Sequence, residues 1–392
     1  MIKSKGLIDS SIIACIFILL VYHTCTYMQS YYQFSVTVAM FCLIVALFLC
    51  RNNWKVRIRS LDGIILIVSV VSILLIGVLF KGQDIQYIIG AYSPYIMWSV
   101  ICSISDSVFE EKKKKTFLLL YMFIFVVSVT ATLSTVVFDH NAARRLAGSA
   151  TQIERYMYYR RGVGGYGFIY GSTCLLFAIG LWKEKEKRRV IRLFLLATMV
   201  LTAIMIVFAS YTMALLMMLI LFGLMRYART EQNLAGTITF ILSMLAIVLL
   251  AEPILHVLHG AADWMGLEYI ANRTNQLIQL DLMGGGEQLK RVGLYKTSVN
   301  SFLENVWIGG TEIGGHSMLF DNLGNYGIWG GLFCLSYFRR LNTLRKNAPR
   351  KEGIVYIAII LLMCVNTSDT IVFLPMVMVM LPMILSVRMG SQ

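Results

Sequence analysis

Charge is scarce in this 392-residue sequence: Lys, Arg, Asp and Glu make up 14% of it, against 58% hydrophobic residues. No polar stretch is long enough to form a separate soluble domain, so the chain reads as one unit. The phosphate-loop pattern G-x-x-x-x-G-K is absent, and no nucleotide-binding motif is assigned. No two cysteines have C-x-x-C or zinc-knuckle spacing. The eight of them (Cys15, Cys25, Cys42, Cys50, Cys102, Cys174, Cys334 and Cys364) lie in or beside apolar runs, as small packing residues rather than a disulfide framework. His256 and His259 stand i, i+3 with Glu252 upstream, but no third ligand follows at usable spacing, so no metal site is expected. The first apolar run has no small-residue cleavage site after it and is expected to be a retained span, not a signal peptide.

What is abundant is apolar runs of membrane-spanning length, about 17 to 25 residues for a helix. The expected fold is therefore all-α, a polytopic membrane helical bundle of twelve spans. They fall at 8–26, 34–50, 61–80, 86–105, 116–138, 166–182, 191–209, 211–226, 234–252, 318–338, 353–368 and 371–387. With the N-terminus inside, the inner segments hold 25 of the 35 Lys and Arg residues, which fits the positive-inside rule and leaves both termini cytoplasmic. The net charge of +14 then reports topology and affinity for anionic membrane lipids, and no nucleic-acid partner is expected. Two outer connections are long, 139–165 and 253–317. These are the expected functional surfaces, since the other outer connections have room for little more than a turn.

The first long connection, DHNAARRLAGSATQIERYMYYRRGVGG, places Arg144, Arg145, Arg155, Arg160 and Arg161 on the face where positive charge is depleted, among Tyr156, Tyr158 and Tyr159. Guanidinium groups grip phosphate as a fork, and tyrosines suit both sugar rings and the membrane interface. The pattern reads as a site for a lipid-linked, phosphate-bearing, sugar-containing substrate, with lipid headgroup contact as the plainer alternative. The second supplies Arg273, Arg291 and Tyr295, then Gly309-Gly310, Gly314-Gly315-His316-Ser317 and Asp321. Its segment WMGLEYIANRTNQLIQL has near-helical apolar spacing and reads as a helix lying on the membrane interface or packed on the bundle. Glycine pairs let the backbone approach a ligand closely, and histidine is suited to taking a proton from a hydroxyl. A helix starting near Ser317 would put His316 at its N-terminus. Asp321 either orients His316, holds an acceptor hydroxyl or caps the helix.

Arg291, Tyr295, Phe302, Asn305 and Gly309, followed by GGHSMLFDNLGNYGIWGG, resemble the carboxy-terminal signature of the O-antigen ligase/polymerase superfamily. The resemblance covers about 40 residues. The arrangement of the spans and of the two long outer connections is most similar to the Wzy-type O-antigen and capsular polysaccharide polymerases. Arg160 to Gly171 and Arg273 to Gly284 have the family's Arg, ten residues, Gly spacing, while Asn305-Val306-Trp307 stands where the family has a proline. The resemblance implies a GT-C-like membrane glycosyltransferase without cofactor or metal. It implies His316, Arg291 and Asp321 as catalytic residues, and Arg144, Arg145, Arg160, Arg161, Arg273 and Tyr295 as substrate-binding ones. The implied substrate is an undecaprenyl-diphosphate-linked oligosaccharide, with a chain-length regulator protein as a further partner. Two other readings stay open: a ligase that passes finished glycan to a lipid or protein, and a lipid-linked glycan transporter. Against the transporter, no internal repeat is evident and almost every charge sits at a span end.

Overall fold

In a hydrocarbon layer the backbone finds no water partner, so each apolar run must satisfy its own N–H and C=O groups, which a helix does. The computed structural model describes residues 2–51, 61–139, 141–147, 151–209, 211–229, 251–266, 268, 271, 272, 275, 287–348, 352–366 and 371–386, and no strand occurs among them. The helices are α1 Ile2–Thr24, α2 Phe34–Arg51, α3 Leu61–Lys81, α4 Ile85–Val108, α5 Glu111–Val136, α6 Ala142–Ala147, α7 Gln152–Arg160, α8 Tyr166–Lys185, α9 Arg189–Phe208 and α10 Thr212–Arg229. They continue as α11 Ala251–Trp264, α12 Glu287–Glu304, α13 Met318–Asn347, α14 Ile354–Val365 and α15 Phe373–Leu385.

Among the described residues six helices are long and apolar enough to cross a membrane, in α1, α2, α3, α4, α5 and α9. The protein is a membrane-embedded helical bundle. These six coincide with expected spans one to five and seven. Expected spans six, eight, ten, eleven and twelve are helical as α8, α10, α13, α14 and α15, and α14 has only 12 residues. The ninth, 234–252, falls almost wholly outside the described residues.

The deepest element is α8, in which every residue from Gly167 to Trp182 is buried. It is wrapped by α6, α9, α10, α14 and α15. Its run of Gly, Ser, Thr, Cys and Ala is what close helix approach requires inside a membrane bundle, where apolar burial does not by itself distinguish a neighbouring helix from lipid. The residues of α15 are buried as well, with Met376, Met378, Met380 and Met383 filling the space around it.

Among the described residues the two long connections are built mostly of helix. The first carries α6 and α7, the second α11 and α12, and the glycine-rich stretch shrinks to the segment 305–317 between α12 and α13. Helix α13 is broken at Gly327, whose φ of 59° and ψ of −141° are non-helical. The Ile328 N–H beyond the break donates to Val306 O of the glycine segment at 2.9 Å, and Gly310 N donates to Gly324 O at 3.0 Å. The break and the segment are thus hydrogen-bonded to each other.

One end of the bundle is tied by charge. Arg51 pairs with Asp9 and donates to Ser107 O at 3.1 Å, Lys115 pairs with Glu186 at 2.8 Å, and Lys185 pairs with Glu352. The glycine segment and the arginine helices lie at the other end. Glu186 is the most buried of these carboxylates. Burial pushes its pKa up, but the Lys115 ammonium and the Arg188 N–H outweigh this and hold it below the usual 4.5. A carboxyl lowered on folding stabilises fully above its unfolded pKa, and that contribution disappears as pH falls through the folded value. Lys115→Gln is therefore expected to cost about 1 to 3 kcal/mol near neutral pH, as for a lost hydrogen bond to a charged group. In thermal melts of the detergent-solubilised protein, the gap from wild type should narrow below pH 4.5. A gap independent of pH would contradict the assignment.

Candidate functional site

The site is organised by Asp321, which is 9% exposed in the first turn of α13. One carboxylate oxygen accepts from Ser298 Oγ of α12 at 2.7 Å and from Gly315 N at 3.2 Å; the other accepts from Ser317 N at 2.8 Å. The two amides flank His316. A single buried carboxylate therefore fixes the backbone on either side of the histidine, while the imidazole itself stands exposed and makes no hydrogen bond among the described residues. Ser317 caps α13 by accepting from Phe320 N at 3.1 Å, and its hydroxyl donates to Cys364 O at 2.5 Å. Helix α13 thus starts where the sequence suggested. No hydrogen bond joins Asp321 to the His316 ring among the described residues; its carboxylate holds the backbone on either side of it.

The rest of the glycine segment is held at several further points. Ser298 Oγ accepts from Gly314 N at 2.9 Å, and Ser301 Oγ accepts from Glu312 N at 3.2 Å. Asn305 accepts from Trp307 N and Ile308 N through its side chain, so an Asx turn shapes the entry to the segment. Lys81, at the end of α3, donates to Gly310 O and to Asn325 Oδ1 and lies 5.8 Å from the Tyr326 ring centroid. Tyr295 packs against Phe320 with ring centroids 5.6 Å apart, a contact that joins α12 to α13.

The arginines of the first connection divide into two groups. Arg145 lies 4.0 Å from Asp139, whose same oxygen accepts from Tyr158 OH at 2.7 Å. That carboxylate raises Arg145 further above its ordinary pKa, and burial followed by the hydrogen bond to Asp139 raises Tyr158. Arg160 lies over the Tyr156 ring at 5.7 Å. Arg160 and Arg161, with Tyr27, Ser134, Thr135, Phe138 and Asp139, line a cleft of about 370 Å³. Phe138 at its rim is 90% exposed, and Ile153 and Tyr156 on α7 are exposed too. Two guanidiniums beside an apolar rim suit an anionic headgroup on a lipid chain.

Of the residues expected from sequence, the structure brings His316, Asp321 and Tyr295 together around the α12–α13 junction. Arg291 lies on α12, on a helix rather than in a loop, and its side chain falls outside what is described; Arg273 lies outside the described residues. Gly171 is buried within α8, so the Arg160 to Gly171 spacing does not mark a loop. Gly162-Val163-Gly164-Gly165-Tyr166-Gly167 spells G-x-G-x-x-G, but it follows helix α7 where the dinucleotide fingerprint needs a strand. No group of three potential metal ligands occurs among the described residues, and His259 Nδ1 donates to Ala271 O at 2.9 Å. No hydrogen bond or ion pair joins α6 or α7 directly to the glycine segment among the described residues; α6 packs on α8, α8 on α10 and α14, and α14 on α13. Lys81 and Ser298, which hold the glycine segment, were not expected from the sequence, and only Lys81 carried a signal there, as an isolated cation between two apolar runs.

No protein-family model and no curated protein matches the chain.

Gly309 and Gly315 have φ of 73° and 74°. A Cβ on Gly309 would lie 2.4 Å from Gly324 O, whereas one on Gly315 meets nothing within 4 Å. Gly315→Ala is expected to cost about 1 to 2 kcal/mol from backbone strain alone. Gly309→Ala should cost clearly more, because the segment must also move off α13. Thermal midpoints in detergent measure the order, and equal losses would contradict the packing.

Proposed function

We propose that this protein is a glycosyltransferase similar to the Wzy-type polysaccharide polymerases, acting on the outer side of the cell membrane with twelve spans, a GT-C-like fold and both termini inside. One arrangement carries the reading: an exposed imidazole, with its flanking amides clamped by a buried carboxylate, lies at the same end of a membrane bundle as an arginine-lined cleft with an apolar rim. The concentration of Lys and Arg in the remaining connections and termini, 25 of the 35, supports the outer placement of these two. Nucleotide sugars are not normally supplied on that side, so the donor is lipid-linked, an oligosaccharide on undecaprenyl diphosphate.

In the reaction, a hydroxyl of the acceptor repeat unit attacks the anomeric carbon of the donor glycan. The bond from that carbon to the diphosphate oxygen breaks, the hydroxyl proton passes to His316, and undecaprenyl diphosphate leaves with the bonding pair. Arg160 and Arg161, together with Arg291, neutralise the departing charge. A well-placed donor in a partly desolvated site contributes roughly 3 to 4 kcal/mol to such a step. Arg144, Arg145, Arg273 and Tyr295 complete the substrate contacts. Membrane lipids surround the site, and a chain-length regulator is the natural protein partner.

The test is reconstitution in vesicles with a lipid-linked oligosaccharide and a chelator present. Polymer should form, with one polyprenyl diphosphate released per linkage. Arg160→Gln/Arg161→Gln should raise the donor KM at least about tenfold, the equivalent of one lost charge-assisted hydrogen bond. Donor left unconsumed would overturn the enzyme reading. Donor moved across the bilayer without linkage would indicate a transporter, and glycan passed only to a non-repeat acceptor a ligase.

A further inference from the structure

Among the described residues no hydrogen bond or ion pair joins the two long connections directly, but a run of contacts leads from one to the other. At one end, Tyr211 OH, at the start of α10, donates to Ala143 O of α6 at 2.9 Å, next to Arg144. The Tyr211 ring lies 5.9 Å from that of Tyr170 and 6.0 Å from that of Tyr166, and the Tyr166 and Tyr170 rings are 4.5 Å apart. Tyr170 OH accepts from Asn366 Nδ2 at 3.2 Å. The backbone carbonyl of Asn366 accepts from Met318 N at 3.2 Å, two residues beyond His316. Tyr170, Tyr211 and Asn366 are all less than 9% exposed.

We infer that Tyr211, Tyr170 and Asn366 are positioning residues that set the arginine helices α6 and α7 against the His316 backbone. The physical reason is the cost of buried polar groups. Breaking either hydrogen bond removes a directional contact between buried groups, so the links favour one relative placement of the two connections. Directional bonds at both ends, with three rings packed between, fix orientation in a way that apolar packing of α6 on α5 and α8 does not. The catalytic consequence rests on the glycosyltransferase reading, which needs the diphosphate and the base at a fixed separation. The placement itself does not rest on it.

Two breaks are available, one at each end of the run: Tyr211→Phe removes the bond to Ala143, and Asn366→Ala removes the bond to Tyr170 while keeping the backbone bond to Met318. Tyr356→Phe is the control, since Tyr356 is fully buried and its hydroxyl has no hydrogen-bond partner among the described residues. Spin labels on keto side chains introduced at Gln152 and Thr311, both exposed, report the separation of the connections in nanodiscs by dipolar spectroscopy. Wild type and Tyr356→Phe should give one narrow distance distribution, and each break a broadened or shifted one. In the polymer assay, each break should lower kcat about tenfold or more while donor KM changes less than about threefold, since misplacement acts on the transition state. Distance distributions unchanged in both breaks would overturn the inference whether or not the protein proves to be an enzyme. Broadened distributions in a protein without turnover would uphold the inference and overturn the functional reading instead.

Discussion

The buried carboxylate of Asp321 is the interaction on which the candidate site of this protein depends. It gathers a hydroxyl from α12 and two amides from the glycine segment onto the first turn of α13. A carboxylate in so dry a place is tolerated only when its lone pairs are satisfied, and three donors together with a helix N-terminus meet that need. Remove them and α12, the segment and α13 lose their common anchor. The break at Gly327, the Ser317 cap and the Lys81 contacts all reinforce the same junction, and His316 owes its fixed backbone and free side chain to it.

A division of labour along the bundle axis follows. At one end, ion pairs tie α1 to α2, α5 to α8 and α8 to the start of α14 through groups that need only be near each other. At the other, where the candidate chemistry lies, contacts are directional: backbone to carboxylate, hydroxyl to carbonyl, amide to hydroxyl. The buried helices α8 and α15 run between, and α8 links the ends directly, with Tyr170 near its start and Lys185 at its finish. A bundle with a buried central helix can carry two separate elements at one end and still hold them in register.

Much of this was legible in the residues and some was not, for physical reasons. Apolar runs of spanning length foretold the helices of the bundle, because the need to satisfy backbone groups in lipid is written into length and hydropathy alone. They did not distinguish α8, enclosed by other helices, from α9, which presents Val200 and Leu193 outward, since lipid and a protein interior favour much the same side chains. The run GGHS followed by Asp321 marked a helix start correctly, as caps are local. The role of Asp321 was not local: its partner Ser298 lies 23 residues upstream, and no periodicity reports such a contact. The same holds for Asn366 and Tyr170, 196 residues apart. The polar composition of the two outer connections suggested loops, whereas Thr151 and Glu154 form a capping box that starts α7 within the arginine run.

In the proposed reaction, His316 takes the proton of the attacking hydroxyl from a position its neighbours have fixed. The direct measurement is chain growth by purified His316→Ala in vesicles, with its thermal midpoint recorded alongside. Because the ring is exposed and makes no hydrogen bond among the described residues, the variant should melt like wild type. Its growth rate should nonetheless fall about 10² to 10⁴-fold, the range for loss of a general base. Growth at the wild-type rate in a folded His316→Ala protein would contradict the account.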